Sequence, residues 1–362
     1  MSARLRQIKD WYQTNEKSVS TISLIAGFVF DSLTLQRIDN FRDNLWLSLN
    51  LLLVGICIIF LNREVEGRYS HESWKHFWLL NTLQFGLGNI LGGFFILYFR
   101  SGTLSASWPF LLILLFALVA NELFQKRYAR LVMQLSFFYL AVFSFSIFLV
   151  PIFLHQIGPF IFILSGIASL GVFWLFTLLL KKLIAKRFKE SRRPLFFAVM
   201  AIFFSVNLLY FANLIPPIPL SLKDTGIYQY LSRDSRGSYI IAEEKRGLLD
   251  YFSFHETIHL VPGDSLYAYN AIFSPTNLDT RIVHEWQYQD EKTGEWMTFA
   301  RIPLLLSGGR SEGFRTYSAK SNLTPGDWRV NIATPQGQLL GRINFRIITA
   351  SARPPLVYQV KN

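Results

Sequence analysis

Residues 213–219 read NLIPPIP, and the fold turns on what lies either side of them. Proline has no amide hydrogen and clashes with the preceding helical turn, so three prolines in seven residues end any helix that reaches them. Before this stretch the chain is built of long apolar runs holding most of its 34 phenylalanines; after it the composition is that of an ordinary soluble domain. A helix needs about 20 mostly apolar residues to cross a bilayer. Seven runs meet that need: 19–35, 45–61, 77–99, 104–124, 131–154, 157–180 and 194–214. The pattern predicts an all-α polytopic membrane domain of about seven helices followed by an all-β domain. The first run carries Asp31 and ends in Leu33-Thr34-Leu35-Gln36, without the small residues of a processing site, so it reads as a retained span.

Lysine and arginine set the orientation, because basic loops resist translocation. With seven spans, seventeen of them fall on the side of the amino terminus, seven in KKLIAKRFKESRRP (181–194) alone; only Arg37, Arg42 and Arg100 fall on the other. The expected placement is multi-pass in a bacterial inner membrane, with the amino terminus cytoplasmic and the carboxyl-terminal domain periplasmic. The net charge of +12 then belongs mainly to the membrane half, where it anchors topology against anionic headgroups, and it argues against a nucleic-acid partner. The single cysteine, Cys57, lies in the second span, so no disulfide braces the outer domain. The expected domains are a cytoplasmic amphipathic segment at 1–18, the membrane domain at 19–215, a linker at 216–237, a β-sandwich at 238–350 and a tail at 351–362.

Strands are expected near 238–243, 256–261, 265–274, 280–288, 296–306, 313–320, 327–334 and 338–348, where short alternating runs are separated by turn residues. After Pro325-Gly326-Asp327, Trp328, Val330 and Ile332 share one face, against Arg329 and Asn331 on the other. Thr334-Pro335-Gln336-Gly337 suits a tight turn. The return strand alternates Leu339, Ile343, Phe345 and Ile347 against Arg342, Asn344 and Arg346. Ile282, His284, Trp286 and Tyr288 also share a face, and Trp286 suits the buried aromatic of an immunoglobulin-like antiparallel sandwich.

Two motifs invite a chemical reading and fail on context. GGRSEG (308–313) has the glycines and the arginine of a phosphate cradle, but a strand pattern follows it where a helix is required, and no nucleotide pool lies outside the cell. It reads as a hairpin turn. His255-Glu256-Thr257-Ile258-His259 matches the zinc-protease pattern, which works only on a helix. The surroundings, YFSFHETIHLVPGD, are strand-like, and in a strand residues four apart lie about 13 Å apart, too far to share a metal. His255, Glu256 and His259 are therefore rejected as ligands, and no metal or cofactor is expected. Inside the bilayer, Asp31, Asn81 and Gln84 are the polar residues to watch, and Gly88-xxx-Gly92 suggests close helix packing.

HEWQY, IPLLLSGGRSEGFRTYSAKSNL and PGDWRVNIATPQGQLLGRINF together resemble a bacterial family known as domain of unknown function 2914, and GFVFDSLTLQRID is similar to a stretch of its membrane half. The resemblance implies an envelope domain on a polytopic anchor and no established chemistry. His284, Trp286, Arg315, Ser318 and Trp328 are family-typical positions of unassigned role. From alternation, Arg315 and Tyr317 stand together on one face of the 313–320 strand, near Arg310, and with Ser318 and Lys320 they form the expected binding strand. The expected function is non-enzymatic binding of an envelope glycan, lipid headgroup or partner protein at the membrane surface. The alternative is a polytopic enzyme or transporter component in lipid or glycan export.

Overall fold

The computed structural model describes residues 40–66, 74–101, 104–123, 131–244 save 218 and 236, 256–308 save 276, 277 and 279, and 312–361, with residues 29 and 35 as isolated positions. The chain divides into two compact units, and the last boundary between them falls between Leu214 and Ile215, inside NLIPPIP.

Six helices are described: α1 (Phe41–Glu66), α2 (Trp74–Ser101), α3 (Leu104–Leu123), α4 (Leu131–Leu154), α5 (Pro159–Leu183) and α6 (Ala185–Phe211). All but α3 are long and apolar enough to cross a membrane; α3 has a shorter apolar stretch, Trp108–Ala120. The expected first span, 19–35, lies outside the described residues apart from Val29 and Leu35. Aromatic contacts knit the helices: Phe94 and Tyr98 of α2 meet Phe148 of α4, Phe143 of α4 stacks on Phe203 of α6, and Phe162 of α5 stacks on Tyr210 of α6. Outward faces are equally apolar, with Phe116, Phe160, Phe197 and Leu208 exposed, a surface suited to hydrocarbon. The basic run at 181–193 differs from the expected loop. Only Ile184 breaks the helix there, and α6 starts at Ala185 with Pro194 inside it, because charged residues on exposed helical positions need no loop to reach water. Close approach of α2 to α1 comes at Gly86, where a Cβ would sit 2.8 Å from Val54, and at Gly93 beside Leu47.

The β unit has eleven strands: β1 (Ser221–Tyr228), β2 (Tyr230–Arg233), β3 (Tyr239–Glu244), β4 (Glu256–Leu260), β5 (Ser265–Phe273), β6 (Thr280–Gln289), β7 (Trp296–Leu306), β8 (Phe314–Ser321), β9 (Gly326–Ala333), β10 (Leu339–Thr349) and β11 (Leu356–Lys361). They form three sheets, ordered β1-β5-β8, β4-β10-β9-β6-β7 and β11-β3-β2. All pairings are antiparallel except β4 with β10. β1 and β2 correct the expected linker at 216–237, and β11 corrects the expected tail.

The first two sheets share one core in which Leu266, Ala268 and Ile272 of β5 meet Ile282, Trp286, Val330, Ile332 and Phe345. The other face of β5 is buried as well, since Tyr269 and Ala271 pack with Tyr228, Leu231, Tyr239 and Ile241 toward the third sheet. The order is thus three layers with β5 in the middle one. This is why SLYAYNAIF runs apolar without alternation: a strand covered on both faces has no solvent side to mark.

Candidate functional site

Strand β6 carries polar side chains on both faces, and the two sets end in different surroundings. His284 and Trp286 point inward with Ile282, as alternation requires, and none of the three has measurable exposure. His284 Nε2 lies 2.6 Å from Asn270 Oδ1 and Nδ1 lies 2.8 Å from Ser318 Oγ, while Trp286 Nε1 donates to Ser318 Oγ at 3.0 Å. An amide oxygen only accepts, so Nε2 carries the imidazole hydrogen, and Nδ1 accepts the hydroxyl hydrogen of Ser318. The bonds run in one direction, from Trp286 to Ser318 to His284 to Asn270. They tie the five-stranded sheet to β5 and β8, leaving Asn270 Nδ2 buried without a hydrogen-bond partner.

Serine, histidine and asparagine in that order form the outline of a nucleophile, its base and an orienting amide. Two facts set this cluster apart from a working site. Ser318 is only 4% exposed, so a substrate carbonyl has no approach to its Oγ. Burial pushes the His284 pKa down to about 3, far from the neutral range in which a general base is useful. The arrangement holds a neutral imidazole in one tautomer between two sheets.

The structure therefore brings three family-typical residues, His284, Trp286 and Ser318, into one network and adds Asn270, which no local pattern marks. Trp328 is buried nearby against Tyr288 and Phe299, its indole donating to Thr324 O at 2.8 Å. The expected binding strand splits by face. Ser318 points into the core and Lys320 lies 5.9 Å over the Phe299 ring, whereas Arg315 and Tyr317 stand on the other face of β8, as alternation predicts. Tyr317 there joins a tyrosine cluster, about 6 Å from both Tyr239 and Tyr267 between centroids (6.1 and 6.2 Å), and Tyr239 Oη donates to the Arg315 carbonyl oxygen. Burial pushes the Tyr269 phenol up to about 12, with the Arg315 charge pulling the other way. Arg310 lies outside the described residues. The four described residues of the expected binding strand thus do not share one surface.

The expected hairpin turn at 308–313 is corrected, since β7 and β8 on either side of it belong to different sheets; glycine at 308 answers to crowding, because a Cβ there would sit 1.9 Å from the Pro275 carbonyl oxygen. Glu256 to His259 lie in β4, a strand and not the helix that the H-E-x-x-H zinc arrangement requires; His255 lies outside the described residues. His259 points to solvent, its Nδ1 2.8 Å from Glu244 Oε2, and its amide donates to Glu244 Oε1 at 2.7 Å. Among the described residues no group of three or more His, Cys, Asp or Glu is placed to hold a metal ion. In the helical unit, Asn81 and Gln84 are half-buried on α2, and Asp31 lies outside the described residues. Among the described residues, interhelical polar bonds include those from Asn62 to Gln134 Oε1 at 2.7 Å, from Asn89 to Asn50 Oδ1 at 3.4 Å and from Tyr98 Oη to the Ser144 carbonyl oxygen at 3.3 Å.

On its outer face β6 carries Glu285 and Gln287, and here the sheet assembles a second, charged network. Register places Arg301 of β7, Glu285 of β6, Asn331 of β9 and Arg342 of β10 in one row across the strands; Thr298, Gln287, Arg329 and Asn344 form the next. Asn331 Nδ2 donates to Glu285 Oε2 and to Gln287 Oε1, both at 3.2 Å, and Arg342 Nε donates to Asn331 Oδ1 at 2.7 Å. Arg329 Nε donates to Gln287 Oε1 at 2.6 Å, and its guanidinium lies 4.1 Å over the Trp296 ring. Burial holds both Arg329 and Arg342 below the usual arginine range, and the charge of Arg342 adds to the effect on Arg329.

Residues 279–347, spanning β6 to most of β10, match a family model described as "Protein of unknown function (DUF2914)", in agreement with the sequence resemblance. No curated protein matches the chain. Among solved structures, a β-glucosidase from Listeria innocua in complex with isofagomine is 13% identical over 38% of this chain and 18% of its own, with a TM-score of 0.21. The DNA glycosylase AlkC from Pseudomonas fluorescens, bound to DNA containing an abasic site analog, is 10% identical over 86% of this chain and 99% of its own, with a TM-score of 0.22. The chain spans under a fifth of the β-glucosidase's length, and at such TM-scores neither likeness carries an inference.

Proposed function

We propose that this chain, whose residues 279–347 carry a DUF2914 region, is a multi-pass protein of the bacterial inner membrane that holds a non-enzymatic binding module in the periplasm. The module takes a glycan, a lipid headgroup or a partner protein. Its two facing sheets around Trp286 follow the plan of an immunoglobulin-like sandwich, with β2, β3 and β11 added as a third layer. One observation carries the reading: residue types suited to catalysis are sealed between the sheets, while charged residues collect on an open sheet face. Orientation rests on the basic residues, which lie overwhelmingly on the side of the amino terminus. Alkaline phosphatase fused after residue 220 is expected to be active and fused near residue 188 inactive; the reverse pattern overturns the placement.

The second reading, an enzyme or transporter component in lipid or glycan export, draws on the amide pairs Asn62–Gln134 and Asn50–Asn89 in the helical unit. Interhelical amide bonds of this kind also serve as packing glue, which is the role we assign them. Substituting Asn62 and Gln134 by leucine separates the two, since a packing role leaves the activity of a folded protein in the cell intact.

A further inference from the structure

We propose that the outer face of β6, β9 and β10 is the binding surface, and that its ligand is an acidic saccharide, a sugar chain bearing carboxylate or phosphate groups. The proposal rests on the binding-module reading above and names the site and ligand class within it.

The charge balance comes first. Arg301, Arg329 and Arg342 stand in two adjacent rows with Glu285 as the carboxylate among them, so the rows carry a local excess of positive charge. Arg301 is only loosely paired with Glu285, its Nε 3.7 Å from Oε1. Arg329 and Arg342 each donate through Nε alone to a neutral amide oxygen, which leaves the Nη edges of both guanidiniums to a ligand. Those edges match the paired oxygens of a carboxylate or phosphate.

Preorganisation comes second. Gln287 and Asn331 are 8% and 7% exposed although they belong to the outer face, because the long side chains fold across them. Trp296 beneath Arg329 and the amide bonds beneath both arginines fix the guanidiniums before any ligand arrives, which lowers the ordering cost of binding. Two other arginines of the same domain are neutralised directly by aspartates, Arg346 by Asp327 and Arg353 by Asp264. Arg329 and Arg342 are treated differently: their partners are amides.

Glu285 then narrows the ligand. A site for a bare anion gains nothing from a carboxylate at its centre, which repels phosphate. Glu285 has each oxygen engaged by one neutral donor, Thr298 or Asn331, and each retains capacity for a further hydrogen. A ligand with hydroxyl donors for Glu285 and anionic oxygens for the arginines uses both, and an acidic sugar chain has both on one flat face. Every residue of the surface falls within 279–347, the segment that the family model matches.

The test uses the full chain in phosphatidylcholine nanodiscs, with tetragalacturonate and a phosphorylated maltotetraose as probes, followed by calorimetry. Maltotetraose, inorganic phosphate and short-chain phosphatidylglycerol are the controls. The expected result is binding of at least one acidic probe roughly tenfold tighter than of any control, and a loss of about tenfold in Arg329→Gln or Arg342→Gln. Glu285→Gln is expected to weaken the saccharide and strengthen inorganic phosphate, a pair of opposite changes that general loss of structure does not produce. Arg301→Gln, at an exposed position, supplies a variant whose fold is not at risk and weakens the acidic probe a few-fold. Failure of both acidic probes, unchanged binding in the arginine variants, or equal binding of phosphate or phosphatidylglycerol overturns the proposal. Binding of phosphatidylglycerol equal to that of the acidic probes overturns the saccharide site while leaving a binding module with a headgroup ligand, and a reversed topology fusion overturns the periplasmic placement on which that reading rests, so failure of the site and failure of the reading are distinguishable.

Discussion

Two polar networks hang on the same strand, one residue apart. His284 faces inward and Glu285 outward, and the contrast between them separates architecture from function in this domain. The inner network is neutral, runs in one direction through Trp286, Ser318, His284 and Asn270, and is closed to water. The outer one is charged and leaves donor edges facing solvent. A buried polar group must find its partners inside the protein or pay the full desolvation penalty, so the inner set is required to be nearly complete. Water excuses the outer set from that requirement, and its incompleteness is what makes it available to a ligand.

If this division is right, substitutions on the inner side cost stability and those on the outer side do not. The largest effect is expected at Trp286, which has no exposed surface and packs edge-on to Phe345. Trp286→Ala removes about 3–5 kcal/mol from the unfolding free energy of the β domain. Chemical denaturation measures it, and a loss below about 1 kcal/mol breaks the comparison at its centre. Next comes Gly308→Ala, expected to cost about 1–3 kcal/mol because the Pro275 backbone must move away from the new methyl group. A neutral result returns the glycine pair to consideration as a ligand loop.

The inner histidine makes a prediction of its own through pH. Its folded pKa is about 3, below the unfolded value near 6.5, so between those limits the unfolded chain binds a proton that the native state refuses. Stability is therefore full above pH 6.5 and falls as the pH drops. The slope is about 1.4 kcal/mol per pH unit, or about 2 kcal/mol between pH 6.5 and pH 5. Comparing wild type with His284→Gln over this range isolates the term, since other titrating groups act in both. Parallel curves for the two proteins place a solvated, protonatable imidazole at position 284 and remove the sealed network.

The sequence made much of this fold legible, and the exceptions have physical causes. Eight strands stand within a residue or two of their expected ends: most have one face wetter than the other and alternate accordingly, while β5, covered on both faces, is marked instead by the turn residues that bound its apolar run. β1 was lost to the linker because Ser221-Leu222-Lys223-Asp224-Thr225-Gly226 reads as turn chemistry, and its burial comes from pairing with β5, a partner no local pattern reveals. β11 escapes the pattern because Val357, Tyr358 and Val360 are exposed and the strand pairs only with β3. The parallel pairing of β4 with β10 joins segments far apart in the chain and is equally silent. For the sites, alternation correctly placed Arg329, Asn331 and Arg342 outward and His284 inward. It did not show that Glu285, Asn331 and Arg342 fall in one row, because register between strands depends on turn lengths and bulges, such as the shift between Trp286 and Gln287. The family resemblance pointed to His284, Trp286 and Ser318 without a role, and their role is to bond one another.

The smallest expected effect is the sharpest test of the comparison. Arg301→Gln removes a cation from the outer row at a side chain that is 59% exposed and sits 3.7 Å from its carboxylate partner. Exposed pairs of this geometry contribute about 0–1 kcal/mol, because water and salt replace the lost partner. Glu285 keeps its bonds from Thr298 and Asn331 in the variant, so no buried charge is stranded. The unfolding free energy is expected to change by less than about 0.5 kcal/mol, read by denaturation beside Trp286→Ala. A loss near 2 kcal/mol or more, comparable to inner-side substitutions, makes the outer row part of the architecture too, and the open guanidinium edges of Arg329 and Arg342 then need another explanation.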